Sequence, residues 1–336
     1  MSDSGKFWIY ESGIGENRAM LVDQGTCRKI RIERPDQSAR FGDVVDAKLV
    51  QQWVPGKTGI AKLATGEQCL LDPLPDGLTE GAAVRIRIAR AAIRERAGQA
   101  KRAVARPAGS DVPLTRGPDL LELIGADNID IRKVGGHGPD MLADFGWFDA
   151  IEQAETGRIE FDGGTLLVAL TPAMTVIDVD GTMPAAELAK GAAKEVALLL
   201  PRLDIAGSVA VDFPTLDTKA DRAHAVAEFD ENMDEDCERT AINGFGLMQI
   251  ISRKTGPSVS EMLQSDRVKT AALQLLRQAE RAAGSGSLVL ESHPAVIACL
   301  RKENSWLEQL AKRTGRPVEL CPRGELAIQA GVVASG

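Results

Sequence analysis

The sequence has few aromatic residues, few cysteines and no long apolar run. Phenylalanine, tryptophan and tyrosine together make up 4% of its 336 residues. The five cysteines are scattered and never spaced as C-x-x-C, which argues against a disulfide framework and against a zinc site. No segment approaches the roughly 18 apolar residues of a transmembrane helix, and residues 1–13 lack a signal-peptide pattern. We therefore expect a cytoplasmic protein that binds no zinc and no membrane.

Charge is distributed unevenly along the chain. The net charge is −8, which does not by itself indicate nucleic-acid binding. Residues 85–106, however, contain eight basic residues and one acidic residue, so this segment carries +7 and the rest carries −15. Such a basic strip is typical of a surface that follows phosphates, although a solvated charged face has the same composition. The candidates for phosphate contacts are Arg94, Arg96, Lys101 and Arg102.

Residues 42–105 form a series of short strand-like segments separated by glycines. This spacing predicts a small barrel, for which an oligonucleotide-binding (OB) barrel is the best match. Trp53 is the only aromatic residue between positions 42 and 106. Because a barrel that stacks bases usually has several aromatic residues, binding here is expected to depend on phosphate contacts.

Outside this segment, strands and helices alternate. Residues 18–22 and 27–33 predict two strands around an Asp23-Gln24-Gly25 turn, and residues 107–117 predict a linker. The other predicted elements are a helix over residues 145–156, a hairpin of residues 165–170 and 174–179, helices over residues 184–200 and 218–238, a strand over residues 241–251, and a helix over residues 266–283 capped by Ser265.

Two of the predicted strands, VIDVDG (176–181) and VAVDF (209–213), end on aspartates. A helical pattern separates them, and Asp178 and Asp212 are 34 positions apart, which suits a βαβ unit with both carboxyl ends at one edge. Asp180, two residues from Asp178, points to the same face. Three carboxylates at this edge predict a Mg²⁺ or Mn²⁺ site and phosphate chemistry. The alternative role for such aspartates is as helix caps or turn residues.

With these elements in order, the chain resembles the catalytic region of the ribonuclease E/G family. The resemblance is strongest over residues 163–258, which contain a Gly-Gly strand opening, the two aspartate strands and the segment GFGLMQIISRKTGPS. It implies an α/β fold in which a ribonuclease H-like nuclease core carries an inserted OB barrel of ribosomal S1 type and a small C-terminal α/β domain. The implied divisions are 1–35 (first core strands), 36–106 (barrel), 107–162 (linker and reduced sensor region), 163–260 (catalytic core) and 261–336 (C-terminal domain).

The resemblance also implies an activity, Mg²⁺-dependent cleavage of single-stranded RNA that leaves 5′-phosphate and 3′-hydroxyl ends. Asp178 and Asp212 match the two metal-binding aspartates of the family, and Asp204 falls where an acidic residue supports the site. Asp180 stands where the family usually has asparagine, so its carboxylate adds charge and a further metal ligand. Lys101 lies where the barrel has a basic residue facing the RNA.

The chain departs from the family pattern at several places. The cysteine motif of the zinc link does not follow Ser258, so any oligomer should form without that link. Lys29 and Arg31 occupy positions that are acidic in the family, the helix after Asp212 is acidic instead of arginine-rich, and Gly244 replaces an arginine. The segment that senses 5′-monophosphate ends looks largely deleted between residues 107 and 148.

Two other functions remain open. Residues 176–182 also spell the first motif of haloacid-dehalogenase-like phosphatases, in which Asp178 would be the nucleophile. That motif normally opens its domain, whereas about 170 residues precede it here. A chain that kept the fold without a competent metal site would instead be a non-catalytic RNA-binding relative.

Overall fold

The computed structural model describes residues 5–35, 39–95, 100–136 and 138–336. The chain begins with three antiparallel strands, β1 (Phe7–Ser12), β2 (Asn17–Asp23) and β3 (Thr26–Glu33). The last two confirm the predicted hairpin, whose turn residues Gln24 and Gly25 have φ angles of 51° and 76°. Such left-handed angles match the twist of a tight hairpin. Strand β1 is an element that the sequence pattern does not predict.

A closed barrel of five strands follows, which confirms the barrel predicted over residues 42–105. It consists of β4 (Val44–Val54), β5 (Thr58–Leu63), β6 (Gln68–Leu71), β7 (Ala83–Arg90) and β10 (Ala103–Pro107), joined in the order β10-β6-β5-β4-β7. Its core contains Leu49, Leu71, Ile86 and Ile88, which are fully buried. Between the last two barrel strands, β8 (Ile93–Arg94) pairs with β9 (Ala100–Lys101) in a separate short ladder.

The segment after the barrel returns to the N-terminal sheet. Helix α1 (Leu120–Gly125) precedes β11 (Asp130–Val134), which pairs with β1 in parallel and completes a four-stranded sheet. Two helices then follow, α2 (Met141–Asp144) and α3 (Trp147–Thr156). Helix α3 confirms the helix predicted over residues 145–156, but it begins later because Gly146 adopts a left-handed conformation with φ 88°.

A six-stranded sheet carries the two aspartate strands. Its elements are β12 (Arg158–Phe161), β13 (Gly164–Leu170), β14 (Thr175–Gly181), α4 (Ala185–Arg202), β15 (Gly207–Asp212), α5 (Lys219–Asn232), β16 (Glu238–Arg239) and β17 (Leu247–Ser252). The strand order is β12-β13-β14-β15-β17-β16. Strands β14 and β15 are parallel and are connected by α4, so the predicted βαβ unit is confirmed.

Three boundary predictions in this region are wrong. Helix α4 continues through Pro201 to Arg202, because a proline in the last turn removes only one helical hydrogen bond. Helix α5 ends at Asn232, since the next residue, Met233, is extended. Residues 241–246 form a loop, in which Gly246 has φ 89°, and the strand begins only at Leu247.

The main core lies between the two sheets and includes buried residues of α3 and α4. Alternation along β14 directs Ile177 and Val179 into this core and leaves Asp178 and Asp180 on the opposite, exposed face. Strand β15 does the same with Val211 and Asp212. Burial of one face thus fixes the side of the sheet on which the aspartates lie.

The C-terminal part is a small α/β region with its own core. It follows α6 (Val259–Ser265), whose Val259 and Leu263 belong to the main core. Its elements are α7 (Arg267–Glu280), β18 (Leu288–Ser292), α8 (Pro294–Lys302), α9 (Asn304–Thr314), β19 (Val318–Pro322) and β20 (Val332–Ser335). The predicted cap of α7 is wrong, because Ser265 ends α6 and the side chain of Asp266 accepts from Lys269 N at 3.1 Å. No helix in the part of the chain described here is long and apolar enough to span a membrane.

A buried network of charged side chains joins the N-terminal sheet to α7. Glu11, only 3% exposed, accepts from Arg18 at 2.8 Å and from Arg277 at 2.9 Å, and also contacts Arg281. Arg277 donates in addition to Asp140 at 2.7 Å. Because buried charges are tolerated only with partners of opposite sign, this network fixes how the C-terminal region packs on the sheet.

Candidate active site

Two carboxylates lie side by side on the exposed face of the six-stranded sheet. Asp178 and Asp212 are register partners across β14 and β15, where the Cα atoms of neighbouring strands are about 5 Å apart. Leu167 is the partner of Asp178 on its other side, and Leu247 is the partner of Asp212. A row of two aspartates between two leucines therefore crosses four strands.

The third predicted ligand, Asp180, lies on the same face two residues further along β14, opposite Thr165. It is about 7 Å from Asp178 along the strand. Within residues 5–35, 39–95, 100–136 and 138–336, no group of three or more His, Cys, Asp and Glu side chains is arranged to hold a metal ion. Mg²⁺ commonly binds one or two carboxylates together with waters and substrate phosphates, so the Asp178–Asp212 pair fits such an ion.

The fourth predicted residue, Asp204, is not brought to this edge. It precedes the first residue of β15, whereas Asp212 is the last, so the two lie at opposite ends of the strand. Asp204 has φ 56° and forms an ion pair with Arg31 at 3.5 Å. Its position suits a turn and a contact with β3, and it is far from the aspartate pair.

Residues 120–255 match the ribonuclease E/G family. The matched segment is 136 of the 336 residues, and over it the chain is similar to that family. The match runs from α1 to just beyond β17 and includes both Asp178 and Asp212. It confirms the resemblance seen in the motifs and indicates an endoribonuclease or RNA-binding role. No curated protein matches the chain at a significant level.

Two basic residues on β3 form ion pairs with the acidic segment that follows α5. Lys29 on β3 donates to Glu235 at 2.7 Å and lies 3.6 Å from Asp234. Arg31 lies 3.7 Å from Glu235. The basic residues on β3 therefore face the acidic segment after α5.

The described residues among the four predicted phosphate contacts lie on the β8–β9 ladder and beside Trp53. Arg94 on β8 forms an ion pair with Asp266 at 3.1 Å, although its side chain is 69% exposed. Lys101 on β9 lies 3.5 Å from Glu95. Arg102 stacks over the ring of Trp53, with 5.6 Å between the guanidinium carbon and the ring centroid. Arg96 lies outside the described residues.

Two arginines on the barrel surface belong to the predicted basic strip but are not among the four predicted phosphate contacts. Arg87 on β7 and Arg106 on β10 are register partners, and both are exposed. The nearby Arg85 forms an ion pair with Asp46, to which it donates a hydrogen bond at 2.8 Å. The alternation Arg85-Ile86-Arg87-Ile88 is the signal for an outward basic row, but only the pairing of β7 with β10 shows which arginines meet.

The thiols of Cys27 and Cys69 are unsuited to nucleophilic chemistry. Burial raises the pKa of each thiol to about 11, so both are protonated near neutral pH. Cys69 lies inside the barrel, whereas Cys27 is partly exposed on β3.

Proposed function

We propose that this protein is a Mg²⁺-dependent endoribonuclease that cleaves single-stranded RNA and takes part in RNA processing or decay, with Mn²⁺ as an alternative ion. The observation that carries the proposal is the pairing of Asp178 with Asp212 inside the family-matched segment. Neither carboxylate forms a hydrogen bond or ion pair within the described residues. Both are therefore available to a cation, and their hard oxygen atoms suit Mg²⁺.

The roles of the residues follow from this assignment. Asp178 and Asp212 would hold the ion, and Asp180 would add negative charge on the same face. When bound, Mg²⁺ supplies Lewis-acid stabilisation of the charge that develops on the transferring phosphate. Because both aspartates belong to hydrogen-bonded strands, their separation is fixed before RNA binds, which favours an aligned site. The products would carry 5′-phosphate and 3′-hydroxyl ends.

We further infer a ribonuclease H-like core with an inserted OB-type barrel. In support, the first barrel strand along the chain pairs with the second, and the second pairs with the third. The third then pairs with the fifth, the fifth with the fourth, and the fourth with the first, which closes the barrel. This is a five-stranded Greek-key arrangement typical of OB barrels. The proposal also includes a cytoplasmic location and the absence of zinc. Elemental analysis of purified protein would check the zinc content.

The test compares the parent protein with Asp178→Asn and Asp212→Asn. Labelled single-stranded RNA is incubated with Mg²⁺ and, separately, with EDTA, and p-nitrophenyl phosphate is assayed in parallel. We expect the parent to cleave RNA only with Mg²⁺, and each variant to lose at least about 100-fold in rate, or about 2.7 kcal/mol of transition-state stabilisation. The melting temperatures of the variants should match that of the parent.

The other outcomes identify the alternatives. RNA binding without cleavage in Mg²⁺ or Mn²⁺ would indicate a non-catalytic relative, a function that the acidic α5 and Gly244 also favour. Hydrolysis of p-nitrophenyl phosphate that Asp178→Asn abolishes would indicate a phosphatase with Asp178 as nucleophile. Unchanged RNA cleavage by both variants would show that the metal-binding assignment is wrong.

A further inference from the structure

Among the residues that the structure describes, Phe245 is the most exposed large apolar residue, at 88%. It lies in the loop before β17, two residues from Leu247, which is the register partner of Asp212. The backbone N–H of Phe213, next to Asp212, donates to Gly246 O at 3.0 Å. The phenyl ring therefore projects from the same edge of the sheet as the carboxylate pair.

The loop holds Phe245 in place through its backbone alone. The side-chain oxygen of Asn243 accepts from Phe245 N at 2.8 Å and from Leu247 N at 3.1 Å. Gly246 is required here, because a Cβ atom on it would lie 2.3 Å from Phe213 O. None of these contacts uses the phenyl ring, so a polar residue at position 245 would satisfy the same turn.

The exposed face around Phe245 combines negative charge with apolar side chains. Asp178, Asp180 and Asp212 repel phosphates when no cation is bound. Leu167 and Ile251 are nevertheless 38% and 57% exposed on this face. The apolar side chains offer contacts to the flat faces of bases, which are insensitive to that repulsion.

Strand β17 also connects this edge to the barrel. It begins at Leu247 beside Asp212 and extends about 17 Å to Ser252. Three residues later, Thr255 O accepts from Ala91 N at the end of β7, at 2.9 Å. Ile251 lies on the exposed face near this end of β17. An extended strand of RNA held by the barrel would thus follow β17 toward the aspartates.

We infer that Phe245 is a specificity-determining residue that stacks on an unpaired base of the RNA, next to the phosphate held at Asp178 and Asp212. This inference rests on the proposed function. It explains a preference for single strands, because a base inside a duplex has no free face for the ring. Stacking is tolerant of base identity, so the residue selects unpaired structure more than sequence.

The experiment measures binding in EDTA, so its result does not depend on cleavage. A set of fluorescein-labelled single-stranded RNAs, each with one abasic position, is titrated against the parent, Phe245→Ala and Phe245→Trp. The matched control is Leu123→Ala on α1, which removes an apolar side chain that is 47% exposed away from this face. Melting temperatures and sedimentation of every variant are recorded beside the titrations.

We expect Phe245→Ala to weaken binding of intact RNA about tenfold, and Phe245→Trp and Leu123→Ala to leave it within about twofold. For one of the abasic RNAs, the parent should bind about tenfold more weakly than it binds intact RNA. Phe245→Ala should bind that RNA and intact RNA with the same affinity, because the stacking contact is already absent. Equal losses in parent and Phe245→Ala at every abasic position would overturn the inference. So would unchanged RNA affinity with altered sedimentation, which would assign Phe245 to contact with a second copy of the chain. If stacking is found but Mg²⁺ produces no cleavage, the proposed activity fails and this inference stands.

Discussion

Acidic side chains occupy two contrasting environments in this molecule. Glu11 is buried and is surrounded by Arg18, Arg277 and Arg281. Asp178 and Asp212 are exposed and adjacent, with each other as neighbours. A buried carboxylate needs its partners for the fold to exist, whereas two like charges held together on a sheet gain nothing structurally. The comparison separates a carboxylate that maintains the architecture from the two carboxylates to which the proposed function assigns a chemical role.

Exchanging the two kinds of carboxylate for amides should give opposite results. We expect Glu11→Gln to lower the free energy of unfolding by about 3–5 kcal/mol, because it removes the buried negative charge that Arg18, Arg277 and Arg281 share. The carboxylates that remain, Glu16 beside Arg18 and Asp140 beside Arg277 and Arg281, offset this loss only in part. Asp178→Asn should leave this free energy nearly unchanged or raise it, since it removes a like-charge contact. Urea denaturation at neutral pH measures both. Equal destabilisation of the two variants would remove the distinction.

Acid should reveal the same difference without any substitution. Burial alone would raise the pKa of Glu11, but Arg18, Arg277 and Arg281 outweigh it and hold the pKa below its ordinary 4.5. Asp140 behaves likewise, because Arg277 and Arg281 lower its pKa despite burial. A carboxyl group whose pKa is lowered by folding stabilises the protein above its unfolded pKa and loses this contribution as the pH falls through its folded pKa.

We therefore expect the free energy of unfolding to decrease as the pH falls below about 4.5. The decrease should be shallower in Glu11→Gln, which has already lost one of the two groups. Urea titrations at a series of acidic pH values give the slopes. A parallel pH dependence in the two proteins would show that the network is not the acid-sensitive element.

A smaller effect is expected on the barrel, where basic residues are exposed. Replacing both Arg87 and Arg106 with alanine should weaken the binding of all RNA sequences alike. It should also reduce the magnitude of the slope of log affinity against log salt concentration by about 0.7 for each lost phosphate contact. Arg94→Ala, Lys101→Ala and Arg102→Ala are compared in the same way. Arg323→Ala, which removes an exposed arginine of the C-terminal region, is the matched control. An unchanged salt slope in the barrel variants would show that these basic residues form a solvated surface and do not contact RNA phosphates.

The smallest effect concerns the 5′ end of the RNA. A monophosphate sensor needs several donors in a fixed pocket, and residues 107–148 supply only Arg116, Arg132 and Lys133 as cations. The guanidinium carbon of Arg132 lies 3.5 Å from the centroid of the Phe7 ring, so this side chain already packs within the fold. We expect kcat/KM to differ by less than about tenfold, or about 1.4 kcal/mol, between monophosphate, hydroxyl and triphosphate ends. A larger preference for monophosphate would show that a sensor is present.

The sequence by itself determined the local elements and the most informative aspartates. Period-two alternation in VIDVDG and VAVDF predicts strands with one apolar face, and the spacing between them predicts their parallel arrangement, which the structure confirms. The barrel was predictable from its closely spaced short strand-like segments, and in the structure their apolar side chains fill its interior. Helix ends were less predictable, because Pro201, Met233 and Ser265 end or continue helices according to their neighbours in space.

Only the tertiary structure decided which residues meet across long sequence distances. The partners of Glu11 lie up to 270 residues away, and Asp204, close to Asp212 in sequence, lies at the other end of its strand. The exposure of Phe245 could not be predicted from the sequence either, because a Phe-Gly-Leu segment has the composition of a buried strand. Sequence periodicity reports which face of an element is buried, but the identity of the neighbours depends on how strands and helices pack.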